Sequence, residues 1–164
     1  MEILNHRQIE RKITRLAYEI LENSFHEDGL IIAGLNQNGM AFASLLLDRL
    51  ESITEVDVQL TQITLNPADP LSETVEIDLD NDELAQQHII IVDDVANTGR
   101  TIFYAFKSLL DALPAKVEVA VLVDRKHKSF PIMVDYVGLS LATTLKENID
   151  VRLDSEEGFA AYLN

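Results

Sequence analysis

Residues 88–106 read HIIIVDDVANTGRTIFYAF. The opening apolar run is rich in β-branched residues, and a run of that length and composition suits a strand buried on both faces of a parallel sheet. It ends in two adjacent acids, Asp93 and Asp94. A short loop carrying Thr98, Gly99, Arg100 and Thr101 follows, and RTIFYAFKSLLDAL (100–113) has the pattern of a helix. KVEVAVLVDR (116–125) then supplies another strand. Strand, loop, helix and strand make a βαβ unit, which sets the expectation for the whole chain.

The flanking sequence extends the pattern. Ile9, Ile13, Leu16, Ile20 and Leu21 recur at helical spacing over about 6–24, with Asn5 and Gln8 placed as an N-terminal cap pair. LIIAGL (30–35) reads as a buried strand, NQNG as a loop and MAFASLLLDRL (40–50) as a second helix. Val56, Val58, Leu60, Ile63 and Leu65 suggest a strand that NPADP (66–70) must break, since two close prolines suit neither helix nor central strand. SETVEIDL (72–79) alternates and is expected to turn back as a hairpin, with DNDELAQQ a polar connection. DYVGLSL and IDVRL read as further strands, and DSEEGFAAYLN as a short terminal helix. The expected architecture is α/β: a mostly parallel sheet flanked by helices, with a small hood from the later segments, in a single domain over 1–164. No repeat, low-complexity tract or linker interrupts it.

Composition narrows the partners. The 28 acids outnumber the 13 bases, for a net charge of −15, so nucleic acid and anionic membrane surfaces are disfavoured. No apolar run approaches the ~18 residues of a membrane helix, and the N-terminal residues do not read as a signal peptide. With no cysteine, disulfide and thiolate chemistry are excluded, which fits a cytoplasmic setting. Asp78, Asp80 and Asp82 alternate like a calcium loop, but Glu83 and Ile89 stand where such a loop needs Gly and Glu. The four histidines share no metal-ligand spacing.

Two neighbouring carboxylates repel, so Asp93 and Asp94 call for a chemical reason. Ligands of open α/β sheets bind beyond the carboxyl ends of the strands. The loop Ala96, Asn97, Thr98, Gly99, Arg100, Thr101 offers backbone N–H groups, hydroxyls, a permissive glycine and a cation to a phosphate. The acids would oppose that phosphate unless they accept from a sugar diol or help hold a hard cation.

IIIVDDVANTGRT resembles the phosphoribosyl pyrophosphate signature of the type I phosphoribosyltransferase family. VEVAVLVDRKHKSFPIMVDYVG (117–138) and the N-terminal IERKITRLAYEILE and LIIAGLNQNGMAFA are similar to the bacterial pyrimidine operon attenuation regulators of that family, which double as uracil phosphoribosyltransferases. The resemblance implies a magnesium-dependent transferase and a homodimer, with phosphoribosyl pyrophosphate or a nucleoside 5′-monophosphate and a pyrimidine base as ligands. It implies that Asp93 and Asp94 contact the ribose with magnesium nearby and that 96–101 wraps the 5′-phosphate. It also implies that Val123–Pro131, starting with Asp124, Arg125, Lys126 and His127, hoods the base.

The sequence departs from that family where pyrophosphate would bind. The first loop of those regulators follows GxKxRG, whereas here Gly34-Leu35-Asn36-Gln37-Asn38-Gly39 has asparagine at both basic positions. Their second loop carries a Tyr-Arg-Asp-Asp-like run, replaced here by Asn66-Pro67-Ala68-Asp69-Pro70, and Lys126 stands where they have glycine. One group that stabilises developing charge is worth ~10²–10⁵ in rate. Two functions therefore compete: a transferase, and a nucleotide-binding sensor that has lost the basic pyrophosphate groups.

Overall fold

The computed structural model describes residues 1–24, 29–142, 147–153 and 158–164. In chain order its strands are β1 (Glu2–Leu4), β2 (Gly29–Leu35), β3 (Asp57–Thr64), β4 (Glu76–Ile77), β5 (His88–Ala96), β6 (Lys116–Arg125), β7 (Tyr136–Leu141), β8 (Ile149–Arg152) and β9 (Ala160–Leu163). The helices are α1 (His6–Asn23), α2 (Asn36–Ile53), α3 (Asn81–Leu84) and α4 (Arg100–Ala105), which runs on into a 3₁₀ turn over Phe106–Leu109. Six strands form one sheet in the order β4-β3-β2-β5-β6-β7. Its pairings are parallel except that β4 folds back antiparallel on β3, the expected hairpin.

β5 lies inside the sheet because both its faces are apolar. Ile90 and Val92 pack with α1 and α2 through Ile9, Leu16, Phe42 and Leu46, while Ile89 and Ile91 pack on the opposite face with Ile102, Ala105 and Leu109. Each such fully buried side chain contributes about 1.5–3 kcal/mol relative to exposure. α1 starts with the reciprocal capping box predicted at Asn5 and Gln8. From its outer flank Lys12 Nζ donates to the Gly138 carbonyl at 2.8 Å, and Arg15 Nη2 donates to those of Val137 and Gly138 at 2.8 and 2.9 Å. These two cations occupy carbonyls of edge strand β7 that another strand could otherwise pair with.

Several expectations are corrected. NQNG is the first turn of α2, not a loop. The helix expected over 100–113 is α helix only to Ala105 and ends its 3₁₀ turn at Leu109, well before Pro114. The polar connection after β4 contains α3, capped by Asp80 and Glu83. At the C-terminal end residues 154–157 lie outside the described residues. Within the rest, Ala160–Leu163 is a strand, because β1 and β8 offer it backbone partners on both sides. IDVRL therefore leaves the main sheet: β8 joins β9 and β1 in a second, antiparallel sheet. That small sheet is made from both ends of the chain, not from later segments alone.

At the amino ends of β5 and β6 a polar cluster is buried. His88, 1% exposed, has Nε2 2.5 Å from Glu118 Oε1 and Nδ1 3.3 Å from Ser24 Oγ. Tyr136 donates its hydroxyl to both Glu118 oxygens at 3.1 and 3.2 Å, and Lys116 Nζ lies 3.2 Å from Oε1. Burial pushes the Tyr136 phenol up, so it stays a donor. Removing the shared carboxylate strands His88 and Tyr136 together. Glu118→Ala is expected to lower the unfolding free energy by about 3–5 kcal/mol in urea titration, and a loss under ~1 kcal/mol would show that the cluster contributes no more than a surface pair.

Candidate active site

Two glycines let α2 begin against the sheet. A Cβ on Gly39 would lie 2.5 Å from the Val92 carbonyl oxygen, and one on Gly34 2.6 Å from the Met40 Cα. The first turn of α2 is thereby pressed against the end of β5. Asn36 makes the corner with φ of 52°, a left-handed conformation that asparagine tolerates better than most residues. Between this turn, the residues after β3 and the carboxyl end of β5 lies a cleft of about 420 Å³. Asp93, Asp94, Asn36, Asn38, Pro67 and Thr101 are on its walls. A smaller hollow of about 100 Å³ shares Gln37, Asn38 and Asp94 with the cleft and is closed by Val151 and Leu153 beside β8.

The acid pair is held by backbone and amide donors. Asp94 N–H donates to Asp93 Oδ1 and Val95 N–H to Asp94 Oδ1, each at 2.9 Å. Asn38 Nδ2 donates to Asp94 Oδ2 at 3.3 Å. Burial, followed by the neighbouring Asp94 charge, pushes the Asp93 carboxyl well above the ordinary range. Burial also raises Asp94, against the hydrogen bonds that favour its ionised form. Bringing both into their ionised form therefore costs free energy that a bound cation or diol would offset.

The loop expected to take a phosphate is tighter than its sequence suggests. Ala96 is the last residue of β5 and Arg100 the first of α4, leaving Asn97, Thr98 and Gly99 to turn the chain. Gly99 has φ of 83°, and a Cβ there would approach Ile132 Cγ1 to 2.6 Å. The segment after β6 covers the turn: Ser129 and Phe130 N–H donate to the Thr98 carbonyl at 2.9 and 3.1 Å. Arg125 Nη1 donates to Asn97 Oδ1 at 3.2 Å. Arg100 reaches across to the Ala68 carbonyl at 3.4 Å, bridging the loop and the NPADP segment.

Both asparagines at the basic positions are engaged internally. Asn36 Oδ1 accepts from Leu65 N–H at 3.0 Å, tying the α2 corner to the end of β3, while Asn38 serves Asp94. Of the residues predicted to hood the base, Asp124 and Arg125 end β6, with Lys126 and His127 in the exposed turn beyond. These four are not among the described residues that line the cleft, although Asp124 runs in register with Ala96. Lys128 Nζ donates to Asp124 Oδ1 at 2.6 Å and also to the Arg125 carbonyl. Sequence reasoning did not single out Lys128, Val151 or Leu153. The alternation of IDVRL was the available signal for Val151 and Leu153.

The donor set fits magnesium. Two adjacent carboxylates face the cleft, and among the described residues no group of three His, Cys, Asp or Glu side chains converges. A six-coordinate ion there would complete its shell with water and ligand oxygens, the usual arrangement for magnesium with phosphate substrates.

The chain belongs to the phosphoribosyl transferase domain family, which it matches over residues 1–156. It is 34% identical to the bifunctional protein PyrR of Streptococcus suis, over 99% of this chain and 95% of that protein. It is also 34% identical to the pyrimidine operon regulatory protein of Lactococcus lactis, over 96% and 92% of the two chains. Among solved structures, a hypoxanthine-guanine phosphoribosyltransferase from Bacillus anthracis superimposes with a TM-score of 0.77 at 18% identity, covering 100% of this chain and 96% of that one. The expected type I phosphoribosyltransferase fold is thus present.

The acid pair sets a pH dependence. Both carboxyls hold protons more tightly in the native state than in the unfolded chain, where Asp titrates near ~3.9. Their stabilising contribution is complete below that value and is lost as pH rises through the raised native values. Asp93→Asn keeps an acceptor for Asp94 N–H but cannot ionise. The ligand-free variant is expected to melt higher than the wild type at pH 8, with the difference shrinking towards pH 4. Equal melting temperatures at pH 8 would contradict the assignment.

Proposed function

We propose that the cleft binds phosphoribosyl pyrophosphate or a nucleoside 5′-monophosphate and transfers the phosphoribosyl group to a pyrimidine base, uracil in particular. One observation carries this reading: the Asp93–Asp94 pair and the Thr98–Thr101 loop leave the same strand end, so one ligand can place its sugar on the acids and its 5′-phosphate on the loop. The pyrimidine assignment draws on the relatives, one of which is named a pyrimidine operon regulatory protein.

In this reaction the ribose C1–oxygen bond to pyrophosphate breaks with its electron pair leaving on oxygen. The C1–N1 bond to uracil forms, and the N1 proton is released. The N–H groups and hydroxyls of Asn97–Thr101 hold the 5′-phosphate. Asp93 and Asp94 accept from the ribose hydroxyls and orient C1 towards the base. Magnesium, when bound, neutralises charge on the departing pyrophosphate. Neutral amides at Asn36 and Asn38 do this less well than cations would. A cytoplasmic homodimer fits the family, and the charge of −15 disfavours an RNA partner.

A second reading, a nucleotide sensor with weak or no turnover, is favoured by the hydrogen bonds that commit Asn36 to Leu65 and Asn38 to Asp94. Calorimetry separates the two. The transferase binds magnesium-phosphoribosyl pyrophosphate at least as tightly as UMP and releases pyrophosphate when uracil is added. The sensor binds UMP alone with useful affinity and releases none. Binding of neither ligand would overturn both readings.

The asparagines can be tested directly. Asn38→Arg restores one cation at the cleft and is expected to tighten magnesium-phosphoribosyl pyrophosphate binding about tenfold or more, the scale of one charge-assisted hydrogen bond. UMP affinity is expected to change little. An unchanged affinity for both ligands would remove the first loop from the pyrophosphate site.

A further inference from the structure

A second cluster of like charges lies away from the cleft. Arg7, Arg11 and Arg49 line a groove of about 340 Å³ between α1 and α2, with Thr14 and Glu10. In a chain with 28 acids and 13 bases, cations have many possible partners, yet no ion pair is formed by these three among the described residues. The groove's Glu10 instead lies 3.6 Å from His6 Nε2. Helix stability does not explain the arrangement. Arg7 and Arg11 are an i,i+4 like-charge pair, which costs an isolated helix a few tenths of a kcal/mol. Arg7 also sits in the first turn of α1, where the helix dipole disfavours a cation.

The groove has an apolar extension. It shares Glu10 and Arg49 with a hollow of about 200 Å³ bordered by Ile13, Leu45 and Phe159, with Asp48 and Ser52 at its edge. Three guanidiniums at one end and aliphatic and aromatic surface at the other suit a molecule that is anionic at one end and apolar at the other. Guanidiniums match phosphate oxygens in bidentate geometry. An extended nucleic-acid backbone would run beyond the arginines onto a protein of net charge −15, whereas a compact anion would meet only the local positive field.

We infer that the α1–α2 groove is a second anion site that takes a compact organic polyphosphate, its phosphates on Arg7, Arg11 and Arg49 and its body over Ile13, Leu45 and Phe159. Arg49 is 13 residues along α2 from Asn36 in the cleft, about 20 Å at the helical rise. A ligand here would therefore leave the acid pair free. The inference stands whether or not the cleft turns over phosphoribosyl pyrophosphate.

The test is amide shift mapping by NMR of the full 18.4 kDa chain, titrated separately with inorganic tripolyphosphate and uridine triphosphate. Both are expected to shift amides in 7–14 and 48–52, with uridine triphosphate binding at least about fivefold tighter because it also covers the apolar hollow. The triple variant Arg7→Gln, Arg11→Gln, Arg49→Gln replaces exposed or half-buried side chains. It is expected to keep the wild-type melting temperature and lose these shifts, while any shifts at 97–101 persist. Shifts confined to 97–101, or unchanged binding in the folded triple variant, would overturn the site. Equal affinity for the two probes would overturn the organic body. Tighter binding of a single-stranded RNA oligonucleotide by the same arginines would overturn the compact ligand. Should the triple variant melt early, Arg11→Gln alone, on an exposed side chain, decides by a loss of affinity or its absence.

Discussion

The cleft depends on a contact that leaves no room for a side chain. At Gly39 the first turn of α2 lies against the end of β5 so closely that a single added carbon would sit 2.5 Å from the Val92 carbonyl oxygen. That approach brings Asn38 within hydrogen-bond distance of Asp94 and sets the α2 corner in the same cleft as Thr101. Backbone oxygen cannot yield as a flexible side chain can, so the geometry of the acid pair and that of the helix entry are fixed together. The parallel sheet beneath supplies the rigidity, because β5 is held by β2 on one side and β6 on the other.

Charge in the site is arranged with the same economy. The two aspartates are neighbours in the chain, backbone N–H groups and one amide steady their oxygens, and burial raises the proton affinity of both. Asn36 and Asn38 share the cleft with them. Their amides brace the walls of the cleft. The walls therefore keep their shape through neutral amides.

Much of this was legible in the sequence, for reasons that can be named. The strand, turn and helix start within 88–106 read correctly because the strand is apolar on both faces and its glycine sits at the one left-handed position of the turn. Asn5 and Gln8 announced the start of α1 through a reciprocal cap that is local in sequence. The start of α2 was missed because its corner is made by the backbone of Asn36, with no side-chain cap to mark it. The strand at 160–163 was missed because the pattern FAAYL tolerates either conformation and one of its two partners, β1, is about 160 positions away. The roles of Asn36 and Asn38 were visible only as substitutions. Their partners, Leu65 N–H and Asp94, are set by the sheet and lie 29 and 56 residues away.

The small sheet has a further consequence for how the molecule comes into being. Strand β1 is made about 160 residues before its partner β9, since Glu2 finds its register opposite Tyr162. At translation rates of about 5–20 residues per second the early strand waits roughly 8–30 s for its partner. The six-stranded sheet can assemble during that interval, since β7 is complete by Leu141. Val151 and Leu153, which close the smaller hollow beside Asp94, follow later still. A nascent chain would thus complete the strand end that carries Asp93 and Asp94 well before the hollow beside Asp94 could close, and synthesis itself would order the two parts of the cleft in time.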